Sequence, residues 1–128
     1  MTKDAKKRVL VVEDEQTLKL AIQKKLEKCG FEVLAVTSAE EALELLQNPK
    51  NKPDIIWLDY YLPAMNGLDF LTKIKENPTW TAIPVFVISN TAGPEKVASM
   101  MALGVNKYFI KAEKRLDEII SEINKLLG

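Results

Sequence analysis

The chain has 128 residues, a length that suits one compact domain with a substantial core. Its 18 basic and 18 acidic side chains cancel, so its charge gives no reason to expect nucleic acid or an anionic membrane as a partner. No apolar run approaches the length of a membrane span, and the run at residues 9–12 is too short for a signal-peptide core.

Two side-chain types narrow the chemistry further. The single cysteine, Cys29, excludes an internal disulfide, and we expect a cytoplasmic protein. The sequence contains no histidine. This excludes the usual zinc site, a Ser-His or Cys-His nucleophilic pair and a phosphohistidine on this chain.

Strand and helix signals alternate in the first half of the chain. Residues 8–12 predict a strand, and residues 14 to about 29 predict a helix that stops at Gly30. The apolar face of this helix is assigned to Leu18, Ala21, Ile22 and Leu26. Residues 31–36 predict a second strand, and a capping box from Ser38 to Glu41 opens a helix that ends before Asn48 and Pro49.

The second half continues the alternation. Residues 55–58 form an unbroken apolar run, which is typical of a strand buried on both faces of a parallel sheet. A helix over 68–76, a strand over 84–88, a helix that starts at Gly93-Pro94 and a strand within 105–110 follow. The last helix is predicted over 114–127, with one apolar face made of Leu116, Ile119, Ile120, Ile123, Leu126 and Leu127.

Five strand–helix units predict an α/β fold, a parallel sheet with helices on both faces. Polar side chains follow four of the strands: Glu13 and Asp14, Asp59, Ser89 and Lys111. Because the carboxyl ends of parallel strands meet at one edge, we expect these side chains to converge there. Each has a structural explanation on its own, as a helix-terminal acid, a turn residue or a surface lysine, but their joint placement at four strand ends favours a site.

Clustered carboxylates repel one another unless a cation joins them. Oxygen ligands at a flexible edge suit Mg²⁺. A hydroxyl from Ser89 and an ammonium from Lys111 at the same edge suit a tetrahedral anion. The pattern therefore indicates a site where an Asp carboxylate accepts a phosphoryl group.

The chain resembles the response-regulator receiver domains of the CheY-like superfamily over nearly all of its length. The motifs that carry the resemblance are VLVVEDE at 9–15, LDYYLP at 58–63 with Gly67, VISN at 87–90 and YFIK at 108–111. The resemblance implies one receiver domain over residues 1–128. It also implies a flavodoxin-like (βα)5 fold, doubly wound, with the strand order 2-1-3-4-5.

The resemblance also assigns roles at the acidic cluster. Asp59 would be the phosphoacceptor. Asp14, assisted by Glu13, would hold Mg²⁺ together with Asp59 and the backbone carbonyl of Tyr61. The phosphoryl group would come from a histidine kinase or a histidine phosphotransfer protein, and the chain would be no enzyme beyond phosphotransfer to itself and autodephosphorylation.

Further roles follow from the same resemblance. Ser89 would be the switch hydroxyl, Lys111 would pair with Asp59 or its phosphoryl group, and Tyr108 would be the aromatic switch residue. Tyr61 and Thr91 would tune the phosphoryl lifetime. The surface of the fourth helix, fifth strand and fifth helix would bind a downstream protein or a second copy of the chain, since no output domain follows residue 128.

Two residues depart from the family pattern. Ala112 stands where the family usually has a cis proline after the lysine, and a non-proline cis bond costs about 2.5–4 kcal/mol. Asn90 stands where a small residue is usual beside the switch hydroxyl. Neither departure removes an acidic or phosphoryl-binding group.

Three other classes compete with this interpretation. A haloacid-dehalogenase-type phosphatase needs a second Asp two residues after its nucleophile, where this chain has Tyr61. A flavin- or nucleotide-binding domain needs glycine in the first strand–helix turn, where residues 13–15 are all acidic. A degenerate receiver that acts as a constitutive binding module would not need the full acid set and Lys111.

Overall fold

The structure is a computed structural model, and it describes residues 6–90 and 93–128. The strands are β1 (Arg8–Val12), β2 (Glu32–Val36), β3 (Ile55–Asp59), β4 (Val85–Ser89) and β5 (Lys107–Ile110). The helices are α1 (Gln16–Lys28), α2 (Ala39–Leu46), α3 (Gly67–Glu76), α4 (Pro94–Ala102) and α5 (Leu116–Leu127). In this part of the chain, no helix is long and apolar enough to cross a membrane.

The strands form one parallel sheet in the order β2-β1-β3-β4-β5. This confirms the flavodoxin-like topology predicted from the alternation of elements and from the family resemblance. The middle strands β3 and β4 are buried along their whole length. Such burial on both faces explains why their sequences are apolar runs without alternation.

The sheet separates two hydrophobic cores. One core lies under α2, α3 and α4, and it contains Leu58, Val87 and Trp80. The other lies under α1 and α5, and it contains Trp57 and Ile88. Neighbouring residues of one strand thus enter different cores, because successive side chains point to opposite faces.

Several predicted boundaries shift by one or two residues. The first helix begins at Gln16 rather than at residue 14, and the last begins at Leu116 rather than at 114. Asp59 and Ser89 are the final residues of β3 and β4, whereas the prediction placed them just after these strands. A short 3-10 helix over Pro49–Asn51 was not predicted.

The predicted apolar faces of two helices were too wide. Ala21 is exposed on α1, and Leu126 is 44% exposed on α5, while Ile22 and Ile123 are buried as expected. Each helix contacts the sheet through a narrow stripe, so residues at the margin of the stripe remain in solvent. The predicted N-terminus of α2 is confirmed, since the Ser38 hydroxyl accepts a hydrogen bond from the Glu41 N–H at 3.1 Å.

The loop between β3 and α3 depends on a glycine. The N–H of Gly67 donates to the Tyr60 carbonyl at 2.8 Å. A Cβ at position 67 would lie 2.8 Å from the Tyr60 Cα and 2.9 Å from its carbonyl oxygen. Because both atoms belong to the backbone, a larger side chain would push this loop away from the end of β3.

We therefore expect Gly67→Ala to lower the free energy of unfolding by about 1–3 kcal/mol, the usual cost of overpacking. Chemical denaturation would measure the loss. Gly93→Ala is the matched control, because a Cβ there meets no atom of the described residues within 4 Å, its neighbours along the chain aside. It should cost at most about 1 kcal/mol, the difference between Gly and Ala at a helix N-cap. Equal losses in the two variants would contradict the steric argument.

Candidate functional site

The strand register brings the predicted site residues to one edge of the sheet. Val12 of β1 is the register partner of Leu58 in β3, so Glu13 follows beside Asp59. Ile88 of β4 is paired with Asp59, and Ser89 is the next residue along β4. Ser89 is paired with Ile110 of β5, and Lys111 follows directly.

Three carboxylates meet at this edge. One oxygen each of Glu13, Asp14 and Asp59 lies within 4.8 Å of the other two. Glu13 is 1% exposed and Asp59 is 5% exposed, whereas Asp14 is exposed at the mouth of the site. Two acids of the site, Glu13 and Asp59, are therefore buried, and the third, Asp14, faces solvent.

Lys111 joins the two buried acids. Its Nζ lies 3.1 Å from Oε1 of Glu13 and 3.4 Å from Oδ2 of Asp59. The predicted pairing with Asp59 is present, but the contact with Glu13 is shorter and was not predicted. The sequence does not indicate which of the two adjacent acids, Glu13 or Asp14, points toward Lys111.

Burial is the main influence on the pKa of Asp59. Loss of water contact and the nearby charge of Glu13 raise the pKa of this carboxyl to about 7, and Lys111 and the Tyr61 N–H offset only part of the rise. For Lys111, burial alone would lower the pKa of the ammonium. The carboxylates of Asp59 and Glu13 outweigh that effect, so its pKa is raised.

Backbone hydrogen bonds orient the carboxylates. The N–H of Tyr61 donates to Oδ1 of Asp59 at 3.2 Å, and the N–H of Glu15 donates to Oε2 of Glu13 at 3.1 Å. Ser89 is fully buried, and its carbonyl accepts from the Lys111 N–H at 2.8 Å. The site is therefore built on strand ends and the backbone next to them, which hold geometry better than free loops.

Tyr108 lies within β5, opposite Val87. It is partly buried and packs against the core under α2, α3 and α4. Its hydroxyl is buried and has no hydrogen-bond partner among residues 6–90 and 93–128. Since side chains alternate along a strand, Ser89 and Val87 face the same side of the sheet, which is also the side of Tyr108.

The sequence left open whether the peptide bond between Lys111 and Ala112 is cis or trans. Among the described residues every peptide bond is trans, including the bond between Lys111 and Ala112, so the family's cis geometry is absent here. Thr91, the second predicted lifetime residue, lies outside the described residues. One neighbour of the site, Lys96 of α4, was not predicted; its Nζ lies 5.3 Å from the ring centroid of Tyr61.

The raised pKa of Asp59 determines the direction in which the stability of the metal-free protein changes with pH. Between about pH 4 and pH 7 the folded state holds a proton on Asp59 that the unfolded chain has released. The stability from the protonated carboxyl is complete below the unfolded pKa, and it is lost as the pH rises through the folded pKa.

We therefore expect Asp59→Asn to gain stability relative to the wild type as the pH rises from 4 to 8, by on the order of 1–3 kcal/mol. Denaturant unfolding of both proteins in EDTA would measure the difference. A difference that stays constant over this range would contradict the environment described for Asp59.

Comparison with known proteins agrees with this geometry. The sequence matches the family of response regulator receiver domains over residues 9–124. It is 33% identical over 106 residues to the chemotaxis protein CheY1 of Helicobacter pylori, a match that covers 81% of this chain and 84% of CheY1.

Two solved structures are similar at 30% sequence identity. The phosphorylated cyanobacterial phytochrome response regulator RcpA superimposes with a TM-score of 0.79, over 95% of this chain and 91% of RcpA. The Mn²⁺-bound form of the response regulator Rcp1 superimposes with a TM-score of 0.76, over 87% of this chain and 85% of Rcp1. With its topology, its acidic edge and the match over residues 9–124, the chain belongs to the response regulator receiver domains of two-component systems.

Proposed function

We propose that this receiver domain accepts a phosphoryl group on Asp59 from a histidine kinase or a histidine phosphotransfer protein in the cytoplasm. One observation carries the proposal: a buried Asp59 lies beside two other acids, with the Lys111 ammonium 3.4 Å from its carboxylate. The phosphorylated state of RcpA, a similar protein, supports it.

The donor set fits Mg²⁺. Glu13, Asp14 and Asp59 offer only oxygen ligands, and one acid faces solvent, which suits an ion that keeps several of its waters. In our proposal Asp14 and Asp59 hold the ion, Glu13 assists, and the Tyr61 carbonyl completes the set. When bound, Mg²⁺ neutralises charge on the acids and on the transferred group. Rcp1, which is similar in fold, is known in a Mn²⁺-bound form.

The proposed transfer is a displacement at phosphorus. A carboxylate oxygen of Asp59 forms the new bond to phosphorus, and the bond from phosphorus to the donor nitrogen breaks, so that its electron pair stays on the departing imidazole. Asp59 reacts in its ionised form, so a proton that its carboxyl carries in the metal-free protein passes to solvent before the transfer. Lys111 favours that form, and its ammonium also lies where it can donate to the phosphoryl oxygens.

The remaining assignments concern the phosphorylated state. In our proposal the Ser89 hydroxyl donates to a phosphoryl oxygen, because Ser89 ends the strand next to Asp59. Tyr61 and Thr91 control how readily water reaches the phosphorus. Tyr61 is well placed for this role because its N–H already binds the acceptor carboxylate.

The proposed output uses the surface formed by α4, β5 and α5. Ser89 and Tyr108 face the same side of the sheet, so a movement of Ser89 toward the phosphoryl group can be followed by the ring of Tyr108. The unpartnered hydroxyl of Tyr108 can then gain a hydrogen bond. Through this surface the chain would bind a downstream protein or a second copy of itself.

We further propose that the chain catalyses no reaction on outside substrates. Tyr61 occupies the position where an aspartate-based phosphatase needs its second Asp, so no carboxyl group stands there to serve as a general acid. The complete acid cluster and its contact with Lys111 count against a degenerate receiver.

Treatment with acetyl phosphate and Mg²⁺ is expected to add one phosphoryl group, detected by intact-mass spectrometry. Asp59→Asn should abolish the adduct because the nucleophile is gone. Asp14→Ala should slow its formation at least about tenfold, because one proposed metal ligand is removed.

Asp69→Asn is the control for these variants, because Asp69 is an exposed acid of α3 outside the cluster. It should take up phosphate at the rate of the wild type. An adduct of unchanged yield in Asp59→Asn would show that the acceptor is a different residue.

A beryllofluoride mimic of the phosphoryl group is expected to change amide hydrogen exchange in α4 and β5 as well as in the loops around Asp59. The physical reason is that the mimic shifts the protein toward the state that the phosphoryl group favours, in which the surface formed by α4, β5 and α5 is rearranged. Tyr108→Ala should confine the changes to the site. Changes confined to the loops around Asp59 in the wild type would show that this receiver does not signal through the surface of α4, β5 and α5.

A further inference from the structure

A cation of α4 lies against the two tyrosines that follow the proposed phosphoacceptor. The Nζ of Lys96 is 5.3 Å from the ring centroid of Tyr61 and 5.7 Å from that of Tyr60. Both distances lie within the range of cation–π attraction. The two rings meet edge to face, with centroids 4.9 Å apart, so they form one aromatic surface.

The position of Lys96 is otherwise unfavourable. It lies in the first turn of α4, which begins at Pro94, and a cation there opposes the positive end of the helix dipole. Within the described residues no carboxylate forms an ion pair with it. The ammonium is exposed to solvent, and the rings of Tyr60 and Tyr61 are the protein groups that it contacts in the described part of the chain.

The tyrosines connect this cation to the acceptor. The ring of Tyr60 is 4% exposed and is fixed in the core, whereas Tyr61 is 45% exposed and is not held by burial. The backbone N–H of Tyr61 donates to Oδ1 of Asp59 at 3.2 Å. Lys96 thus contacts the side chain of the same residue whose backbone N–H donates to the Asp59 carboxylate.

We propose that Lys96 is a positioning residue that acts through Tyr61 and sets the lifetime of the phosphoryl group. This inference rests on the proposed phosphorylation of Asp59. In the hydrolysis step a water oxygen bonds to phosphorus, the bond from phosphorus to the Asp59 oxygen breaks, and its electron pair returns to the carboxylate. The water gives up its proton to the phosphate or to solvent. A Tyr61 side chain held by Lys96 restricts the approach of that water.

The position of Lys96 on α4 has a consequence for regulation. A partner that shifts the start of α4, or covers the Lys96 ammonium, releases Tyr61 and shortens the lifetime. A partner that presses the ammonium onto the rings lengthens it. Contact at α4 and loss of phosphate at Asp59 are then coupled by one side-chain contact.

The test measures loss of the phosphoryl adduct after excess acetyl phosphate is removed, by intact-mass spectrometry at fixed Mg²⁺. Lys96→Met keeps the length of the side chain and removes its charge, and it should lose phosphate about two- to fivefold faster than the wild type. Lys96→Arg keeps the cation and should stay close to the wild type. Lys24→Met, a charge removal at an exposed site on α1, is the matched control and should change nothing.

A double-mutant cycle separates this role from a general effect of structure. Tyr61→Leu should also shorten the lifetime, and adding Lys96→Met to it should produce no further acceleration, since the cation has lost its exposed partner. Tyr61→Phe keeps the aromatic face and should respond to Lys96→Met as the wild type does. Thermal melting confirms that each variant is folded, and Lys96→Gln serves in place of Lys96→Met if the latter is not.

The outcomes are distinct. A wild-type lifetime in Lys96→Met, an equal acceleration in Lys24→Met, or additive effects in the double variant would each overturn the role of Lys96 while the phosphorylation of Asp59 stands. A wild-type protein that takes up no phosphoryl group at all would overturn the proposed function and this inference with it.

Discussion

The site depends on one electrostatic arrangement, the Lys111 ammonium between the buried carboxylates of Glu13 and Asp59. Two like charges so far from water would drive one acid to its neutral form, and the raised pKa of Asp59 shows that the lysine offsets only part of that cost. The repulsion that remains between these carboxylates favours the binding of further positive charge at the edge of the sheet. A cation held by Glu13, Asp14 and Asp59, as proposed above, would reduce this repulsion.

The parallel sheet makes this arrangement possible. Glu13, Asp59 and Lys111 come from the ends of three strands whose order and register are fixed by their apolar residues. Hydrophobic packing on both faces of β3 and β4 fixes the positions of the strand ends. It thus keeps these polar groups together at the edge of the sheet. The same geometry places Ser89 next to Asp59 on one side and next to β5 on the other, so the site and the proposed output surface share strand β4.

The sequence contained enough information for the topology and for the convergence of the site residues. Apolar runs and breaker residues mark each element, and parallel strands put the residue after each run at the same rim. It did not contain the preference of Lys111 for Glu13 over Asp14, because adjacent side chains diverge according to local backbone geometry. It also gave no sign of Lys96, which meets Tyr61 only when α4 packs beside the β3–α3 loop. The exposure of Leu126 was missed because a helical period marks a face but not its width.

The division of the interior into two cores has a spectroscopic consequence. The chain has two tryptophans, and each core contains one: Trp57 lies under α1 and α5, and Trp80 lies under α2, α3 and α4. Each indole is therefore a built-in reporter for one face of the sheet. With one of them replaced by phenylalanine, the emission of the other follows its own core alone. Binding at α1 and rearrangement near α4 can then be distinguished by the fluorescence of a protein that carries no added label.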